Sequence, residues 1–257
     1  MSCKYPIILA HGIILKDIKF FKAFGRIEKI LKKQNHMVYT AKTDGFGTIE
    51  NNALQLKSYI LEILKKEKVS KVNIIAHSKG GLDAKYMIQE LGMENYVASL
   101  TTLCTPHKGS QMASKLLRLP KVLLYGFSFW INLTYRIFGD KKPNAYLVCK
   151  QLQSIPIETT CIFDQVYCQS YSTTLRRSRD DFIMGIPLIF SKHWENTSSD
   201  GLVTKESASF GTYRGDCIED SISHSEIVDF MTKKKKREKI YQFYITLCED
   251  LKNRGYW

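Results

Sequence analysis

The sequence lacks an apolar run long enough to cross a membrane. The nearest candidate, residues 122–138, is interrupted by Gly126, Asn132 and Arg136, whereas a spanning helix needs roughly 20 predominantly apolar residues. The apolar segment that begins at Ile7 follows the N-terminus so closely that a secretory signal has no room before it. We therefore expect a cytoplasmic protein, with attachment to a membrane surface left open.

Metal-binding and disulfide motifs are also missing. The seven cysteines are odd in number and form no Cys-x-x-Cys pair, so the pattern predicts neither a zinc site, nor a redox motif, nor a disulfide framework. Internal repeats, low-complexity segments and linkers rich in Pro, Gly or Ser are absent as well. Because 257 residues can form one large core, we predict a single domain over residues 1–257.

Acidic residues are fewer than basic ones, 25 against 38, so the formal net charge is +13. The lysines are spread along the chain, with one dense block at residues 233–237. No nucleic-acid-binding motif and no alternation of basic and aromatic residues accompanies them, so we predict no specific nucleic-acid partner. Contact with an anionic membrane surface is the other partner that such a charge favours.

Short apolar runs alternate with helical patterns along the chain. This alternation predicts an α/β fold with a parallel sheet and helices on both faces, and continuous apolar runs are typical of strands buried on both sides. The candidate strands are residues 5–10, 37–40, 72–76 and 97–104, with weaker candidates at 157–163 and 186–190. The candidate helices are residues 20–31, 53–64, 81–91 and 239–251.

Residues 111–152 interrupt this rhythm. The segment is rich in Leu, Tyr, Phe and Trp and is long enough for two or three helices. We predict a helical insertion into the sheet scaffold, and "the helical insertion" denotes residues 111–152 below. Its apolar side chains either pack on the sheet or cover a pocket and touch lipid.

The stretch Ala76-His77-Ser78-Lys79-Gly80 places a serine where a predicted buried strand meets a predicted helix. A nucleophile elbow needs this order of strand, sharp turn and helix, with small residues two positions before and after the serine. The motif alone is weak, and its context makes it specific. We therefore predict Ser78 as a nucleophile.

A serine hydroxyl needs a histidine base that is held by a carboxylate, and in this type of fold the chain order is Ser, acid, His. His224 lies in a polar loop near the C-terminal end, whereas His107 comes too early and His193 precedes the best acid. Asp200 is the preferred acid, in what the local pattern indicates is an exposed turn, and Asp164 is the second choice.

The oxyanion formed during acyl transfer needs two preorganised N–H donors. The amide of Lys79 follows the predicted nucleophile directly. The second donor is expected from the loop after the first strand, where Gly12 allows close approach and Ile13 supplies the amide.

Five segments together resemble the bacterial triacylglycerol lipases and esterases of the α/β-hydrolase superfamily. They are residues 5–12 (YPIILAHG), 76–83 (AHSKGGLD), 105–110 (TPHKGS), 199–203 (SDGLV) and 224–226 (HSE). The resemblance implies an α/β-hydrolase fold with a mostly parallel sheet. It also implies a triad of Ser78, Asp200 and His224, and an oxyanion hole formed by the amides of Ile13 and Lys79.

The resemblance further implies that the helical insertion is a lid, with Leu123, Phe127 and Trp130 among its apolar residues. No cofactor is required for such chemistry. Several members of the family carry a structural calcium, which here would lie near Glu226 with Asp180 or Asp181 as the earlier ligand.

We therefore predict a serine ester hydrolase, a lipase or esterase, that acts on a lipid-like or small acyl ester through an acyl-enzyme. Two alternatives stay open. The same triad would serve an acyltransferase, and a vestigial site combined with the basic block and the apolar insertion would make a peripheral lipid-binding protein.

Overall fold

The computed structural model describes residues 4–13, 22–153, 165–181, 184 and 198–256. Within that part of the chain six strands form one parallel sheet in the order β2-β1-β3-β4-β5-β6, which confirms the predicted α/β class. The strands are β1 (Ile7–Ala10), β2 (Val38–Thr40), β3 (Val72–His77), β4 (Val97–Leu103), β5 (Tyr167–Thr174) and β6 (Thr212–Ser221).

The helices follow the strands in the predicted alternation. They are α1 (Ile27–Lys33), α2 (Ile49–Glu67), α3 (Lys79–Glu90), α4 (Gln111–Leu116), α5 (Lys121–Ile137), α6 (Ala145–Gln153), α7 (Lys205–Ala208) and α8 (Lys234–Asn253). The prediction of a first helix over residues 20–31 is wrong at its start: residues 23–26 form turns and the helix begins at Ile27, while residues 20–21 lie outside the described part. Helices α4, α5 and α6 account for the two or three helices predicted in the insertion.

The core has two layers because successive strand side chains point to opposite faces. Ile8 of β1 packs with α2 and α3 on one face, whereas Ile7 and Leu9 pack with α1 and α8 on the other. Every residue of β1, β3 and β4 is buried. Burial on both faces explains why these strands are continuous apolar runs rather than alternating ones.

Strands β5 and β6 were not predicted, because their sequences are polar. Their polar side chains pair across the strands: the Ser172 hydroxyl donates to Asp216 at 2.5 Å and the Thr174 hydroxyl donates to the same carboxylate at 2.9 Å. The weaker strand candidates at 157–163 and 186–190 fall outside the described residues.

The sheet register brings the functional loops to one edge. Ala10 pairs with Ala76, and His77 pairs with Leu103, so β1, β3 and β4 end at the same level. Ligands in open parallel sheets bind outside the carboxyl ends of the strands. The loop after β1 therefore lies beside the turn at Ser78.

None of the described helices is both long and apolar enough to cross a membrane. The compartment in which the protein works stays a prediction.

Candidate active site

Ser78 occupies a strained turn between β3 and α3. Its backbone has a φ of 54° and a ψ of −132°, and a positive φ is uncommon for any residue with a side chain. The Ser78 amide donates to Leu103 at 2.9 Å, and the Thr105 hydroxyl donates to the Ser78 carbonyl at 2.8 Å. The neighbouring strand and loop thus hold the strained conformation in place.

Glycines are required around this turn because backbone crowds it. A Cβ on Gly80 would lie 2.5 Å from the carbonyl oxygen of His11, and a Cβ on Gly12 would lie 2.7 Å from the Cβ of Ser78. Real Cβ atoms do not approach that closely, so a side chain at either position would displace the loop after β1 or the turn itself. The small residues of the motif are explained by these contacts.

A chain of two hydrogen bonds links the three residues predicted as a triad. The Ser78 hydroxyl donates to Nε2 of His224 at 2.9 Å, and Nδ1 of His224 donates to Oδ2 of Asp200 at 2.7 Å. A carboxylate only accepts, so the ring proton lies on Nδ1 and Nε2 is left as the acceptor. This is the arrangement that general-base activation of a serine needs.

Asp200 differs from its predicted surroundings. The local pattern indicated an exposed turn, whereas Asp200 is 1% exposed. Its Oδ1 accepts from the amides of Leu202 at 2.9 Å and Val203 at 2.8 Å, and an isolated antiparallel bridge between Ser199 and Thr204 closes the turn. These bonds satisfy a buried carboxylate and leave its other oxygen for His224.

The backbone of His224 is fixed from two sides. Its amide donates to the Asp200 carbonyl at 3.0 Å, and Nε2 of His77 donates to its carbonyl at 2.9 Å. Burial, together with the nearby His224 ring, holds the pKa of His77 well below its usual value. His77 therefore stays neutral, and a neutral ring protonated on Nε2 is the form that makes this bond.

Lys79 is buried with its charge paired, a role of the side chain beyond the amide predicted from the sequence. Its ammonium lies 2.6 and 2.9 Å from the two carboxylate oxygens of Asp83, with both side chains at most 2% exposed. The Asn52 amide donates to the same carboxylate at 3.0 Å. Burial raises the pKa of Asp83 to about 6, against the attraction of Lys79. The i, i+4 spacing of Lys79 and Asp83 was the available sequence signal.

The predicted oxyanion donors come from two different segments, Lys79 from the start of α3 and Ile13 from the loop after β1. Lys79 is the first residue of α3, whose first-turn amides have no partner within the helix. Ile13 follows Gly12 and lines the cavity described below together with Ser78. The roles of Ile13 and Lys79 stay predictions.

A cavity of about 770 Å³ opens at Ser78 and His224. Apolar side chains of the helical insertion form much of its wall, among them Leu116, Phe127 and Leu152. Such a cavity has the size and character of a site for an apolar ligand. Of the three predicted lid residues Phe127 lines it, whereas Leu123 and Trp130 are 62% and 65% exposed on the outer surface and are not among its lining residues.

Cys104 is a second residue whose position the sequence did not reveal. Its thiol is fully buried. The sulfur lies within 4.8 Å of a carboxylate oxygen of Asp200 and of a ring nitrogen of His224. Burial, with the nearby Asp200 carboxylate, raises the pKa of this thiol well above its usual value. The side chain therefore packs as a neutral thiol beside the acid.

Of the remaining candidates, the described one, His107, lies away from this hydrogen-bonded chain. His107 is buried, with its Nε2 3.0 Å from the Thr102 hydroxyl and its ring stacked on Phe210. The second-choice acid, Asp164, and His193 fall outside the described residues.

The carboxylates considered for calcium all have partners within the protein. Glu226 is ion-paired with the ammonium of Lys236 at 2.7 Å. Asp180 accepts from the Ser221 hydroxyl at 2.6 Å, and Asp181 accepts from the hydroxyls of Ser223 and Ser225. Among the described residues, one cluster brings together three side chains of the types that ligate metals (His, Cys, Asp or Glu). It is the buried set of Cys104, Asp200 and His224. A stabilising calcium stays a prediction, and no chemical step depends on it.

The chain resembles known lipases and thioesterases. A family model described as palmitoyl protein thioesterase matches residues 6–167. Triacylglycerol lipase 2 of Saccharomyces cerevisiae is 29% identical over 90% of this chain and 73% of its own length. A triacylglycerol lipase of Pseudarthrobacter phenanthrenivorans is 36% identical over 44% of this chain, which is 36% of that protein.

The fold has solved counterparts. A lipase of Staphylococcus hyicus superimposes with a TM-score of 0.68 at 14% identity, covering 97% of this chain and 95% of the other. At that identity the likeness concerns the fold, and it confirms the predicted α/β-hydrolase architecture. Taken with the family model, these similarities show that the chain belongs to the palmitoyl protein thioesterase family of α/β-hydrolases and is a lipase-type hydrolase.

Proposed function

We propose that the protein hydrolyses carboxylic esters of lipid-like acyl groups through an acyl-enzyme, with Ser78 as nucleophile, His224 as base and Asp200 as the supporting acid. The observation that carries the proposal is the hydrogen-bonded chain from Ser78 to Asp200 at the mouth of an apolar cavity. We further propose that residues 1–257 form one domain in which the helical insertion acts as a lid.

The chemistry follows from the two hydrogen bonds. His224 removes the Ser78 proton through Nε2 as the oxygen attacks the ester carbonyl. Asp200 stabilises the resulting imidazolium and keeps its Nδ1–H in place. The amides of Ile13 and Lys79 would bind the oxyanion. The imidazolium then protonates the departing alcohol, and the same histidine activates the water that releases the acid.

The apolar cavity supports the choice of acyl group. Its wall beside Ser78 consists largely of aliphatic and aromatic side chains, so each methylene that enters it leaves water, worth about 0.8 kcal/mol per group. We expect kcat/KM for p-nitrophenyl esters to rise with chain length until the cavity is filled. Absence of turnover by the wild type, or full activity in Ser78→Ala, would refute the proposal.

The described contacts do not separate hydrolysis from acyl transfer, since the acceptor is decided by which molecule reaches the acyl-enzyme. Product analysis with a competing alcohol distinguishes these reactions. The family model favours one further candidate, hydrolysis of acyl thioesters. Comparing matched O-acyl and S-acyl substrates of one chain length tests it.

We also propose that the helical insertion, rather than the basic block, contacts an anionic membrane surface. The basic block was expected to do so, but two of its side chains are ion-paired within the protein: Lys236 with Glu226 and Arg237 with Asp229. The helical insertion instead contains seven lysine or arginine residues and one acidic residue, Asp140. Each basic residue at a lipid surface contributes about 1 kcal/mol.

Liposome co-sedimentation tests this partner against its alternative. We expect binding to vesicles with anionic lipid, weakening with salt, and weaker binding to neutral vesicles. Binding to anionic vesicles without labelling of Ser78 by a fluorophosphonate would favour the alternative of a lipid-binding protein with a vestigial site.

A further inference from the structure

The basic block at residues 233–237 has two side chains that turn inward against the segment that carries His224. The Lys236 ammonium lies 2.7 and 2.9 Å from the two carboxylate oxygens of Glu226, and these side chains are 15% and 4% exposed. Next to it Arg237 lies 3.5 Å from the fully buried carboxylate of Asp229. Both carboxylates follow His224 by a few residues.

Glu226 connects Lys236 to the histidine through Ser223. The Ser223 amide donates to Oε2 of Glu226 at 3.1 Å, and the Glu226 amide donates to the Ser223 hydroxyl at 3.2 Å. Ser223 immediately precedes His224, so this reciprocal pair closes a tight loop around the histidine. The Lys236 ammonium is bound to the same Oε2 that accepts from Ser223.

The paired charge is what allows Glu226 to serve as this acceptor. A buried carboxylate without a cation is strongly disfavoured, so removing one partner of a buried pair is strongly destabilising. Lys236 lies near the start of α8, whose Ile240 and Tyr244 are fully buried in the core. A rigid helix therefore supplies the charge at a fixed place.

The histidine needs such support because its task depends on distance. The Ser78 hydroxyl and Nε2 of His224 are 2.9 Å apart, and a displacement of about 1 Å from reactive geometry can cost about a hundredfold in rate. The backbone bonds to Asp200 and His77 hold His224 itself, whereas Glu226 holds the residue before it.

We propose that Lys236 is a positioning residue for His224, acting through Glu226 and Ser223. Its ammonium is a cation built into the chain at the place where this loop requires one, so the site needs no divalent metal to hold the histidine. The inference rests on the proposed function. It adds to that function how His224 is held at hydrogen-bonding distance from Ser78.

The test uses substitutions of Lys236 and a matched control. In Lys236→Met we expect kcat for p-nitrophenyl butyrate to fall about 10- to 100-fold, with KM within about twofold. Lys236→Arg restores the cation and should recover kcat to within a few-fold of wild type. The control is Lys235→Met, which removes the same charge from an exposed position one residue earlier and should leave kcat unchanged.

Two further measurements keep the result decisive. If Lys236→Met does not fold, the double variant Glu226→Gln with Lys236→Met removes both charges and should show the same loss of kcat in a folded protein. Wild-type activity should be unchanged by EDTA. A wild-type kcat in a folded Lys236 variant, or a loss in EDTA that calcium restores, would overturn the inference.

Failure of this inference and failure of the proposed function give different results. A wild-type protein whose Ser78 is labelled by a fluorophosphonate, with kcat insensitive to Lys236, contradicts only the positioning role. A wild-type protein without labelling at Ser78 contradicts the proposed function, and the positioning role with it.

Discussion

The loops at the sheet edge and helix α5 of the insertion are built in opposite ways. Asp200 and His224 are buried and hydrogen-bonded through both side chain and backbone. In α5, by contrast, most side chains are exposed and many of those are apolar, with Val122 at 83% and Trp130 at 65% exposed. Under the proposed function this difference separates two tasks: the sheet edge would hold atoms in place for chemistry, and α5 would offer an apolar surface to the substrate.

The largest effect, a loss of kcat, is expected when Asp200 at the sheet edge is replaced. Asp200→Asn keeps the shape but lets an amide donate to Nδ1, so the histidine adopts the wrong tautomer. We expect kcat to fall by about 10³- to 10⁴-fold with little change in KM. The control Asp220→Asn removes a half-exposed carboxylate paired with Lys239 and should keep kcat within about twofold. Similar kcat values for the two variants would contradict the assignment of Asp200.

A smaller effect, on the pH dependence of stability, is expected at His107, which lies between β4 and the helical insertion. Burial, with Lys85 nearby, lowers the pKa of His107 to about 3. The unfolded chain, with a pKa of about 6.5, takes up the proton first as the pH falls, so His107 stabilises the fold above that pH and the stability is lost below it. At pH 4.5 the loss amounts to roughly 2–3 kcal/mol relative to neutral pH.

His107→Gln removes this titration. We expect urea unfolding to show that the variant loses about 2–3 kcal/mol less between pH 7 and pH 4.5 than the wild type does. His36→Gln, at a partly buried histidine, should change the pH dependence less. Parallel pH dependences for wild type and His107→Gln would show that His107 titrates normally.

The smallest effect is expected on the outer surface of α5. Replacing Leu123 and Trp130 together by serine should lower activity on lipid emulsions at least about tenfold, because each side chain contributes about 1.5–3 kcal/mol when fully buried in lipid and a fraction of that when partly buried. Activity on dissolved p-nitrophenyl butyrate should stay within twofold. Leu54→Ser, on a 53% exposed residue of α2, is the control. Equal losses on both substrates would indicate that the surface supports folding instead.

The sequence predicted those parts that depend on local pattern. Continuous apolar runs identified β1, β3 and β4, and the spacing of small residues around Ser78 predicted the strained turn. The structure brings Ser78, Asp200 and His224 together, as the resemblance implied, while their catalytic roles stay predictions. Strands β5 and β6 escaped notice because their stability comes from cross-strand polar pairs rather than from an apolar pattern.

Long-range contacts account for what could not be predicted. The bond from His77 to the carbonyl of His224 spans 147 positions, and no local pattern announces it. Lys236 looked like part of a solvated basic block because its partner Glu226 is ten residues away. The burial of Asp200 likewise depends on packing by distant parts of the chain, whereas the polar residues of its own turn predicted exposure.

The most direct test of the account is labelling with a fluorophosphonate, followed by peptide mapping. The account predicts one covalent adduct, on the peptide that contains Ser78, with labelling slowed by about 10² or more in His224→Ala and absent in Ser78→Ala. An adduct on a different serine, or an unlabelled wild-type protein, would contradict it.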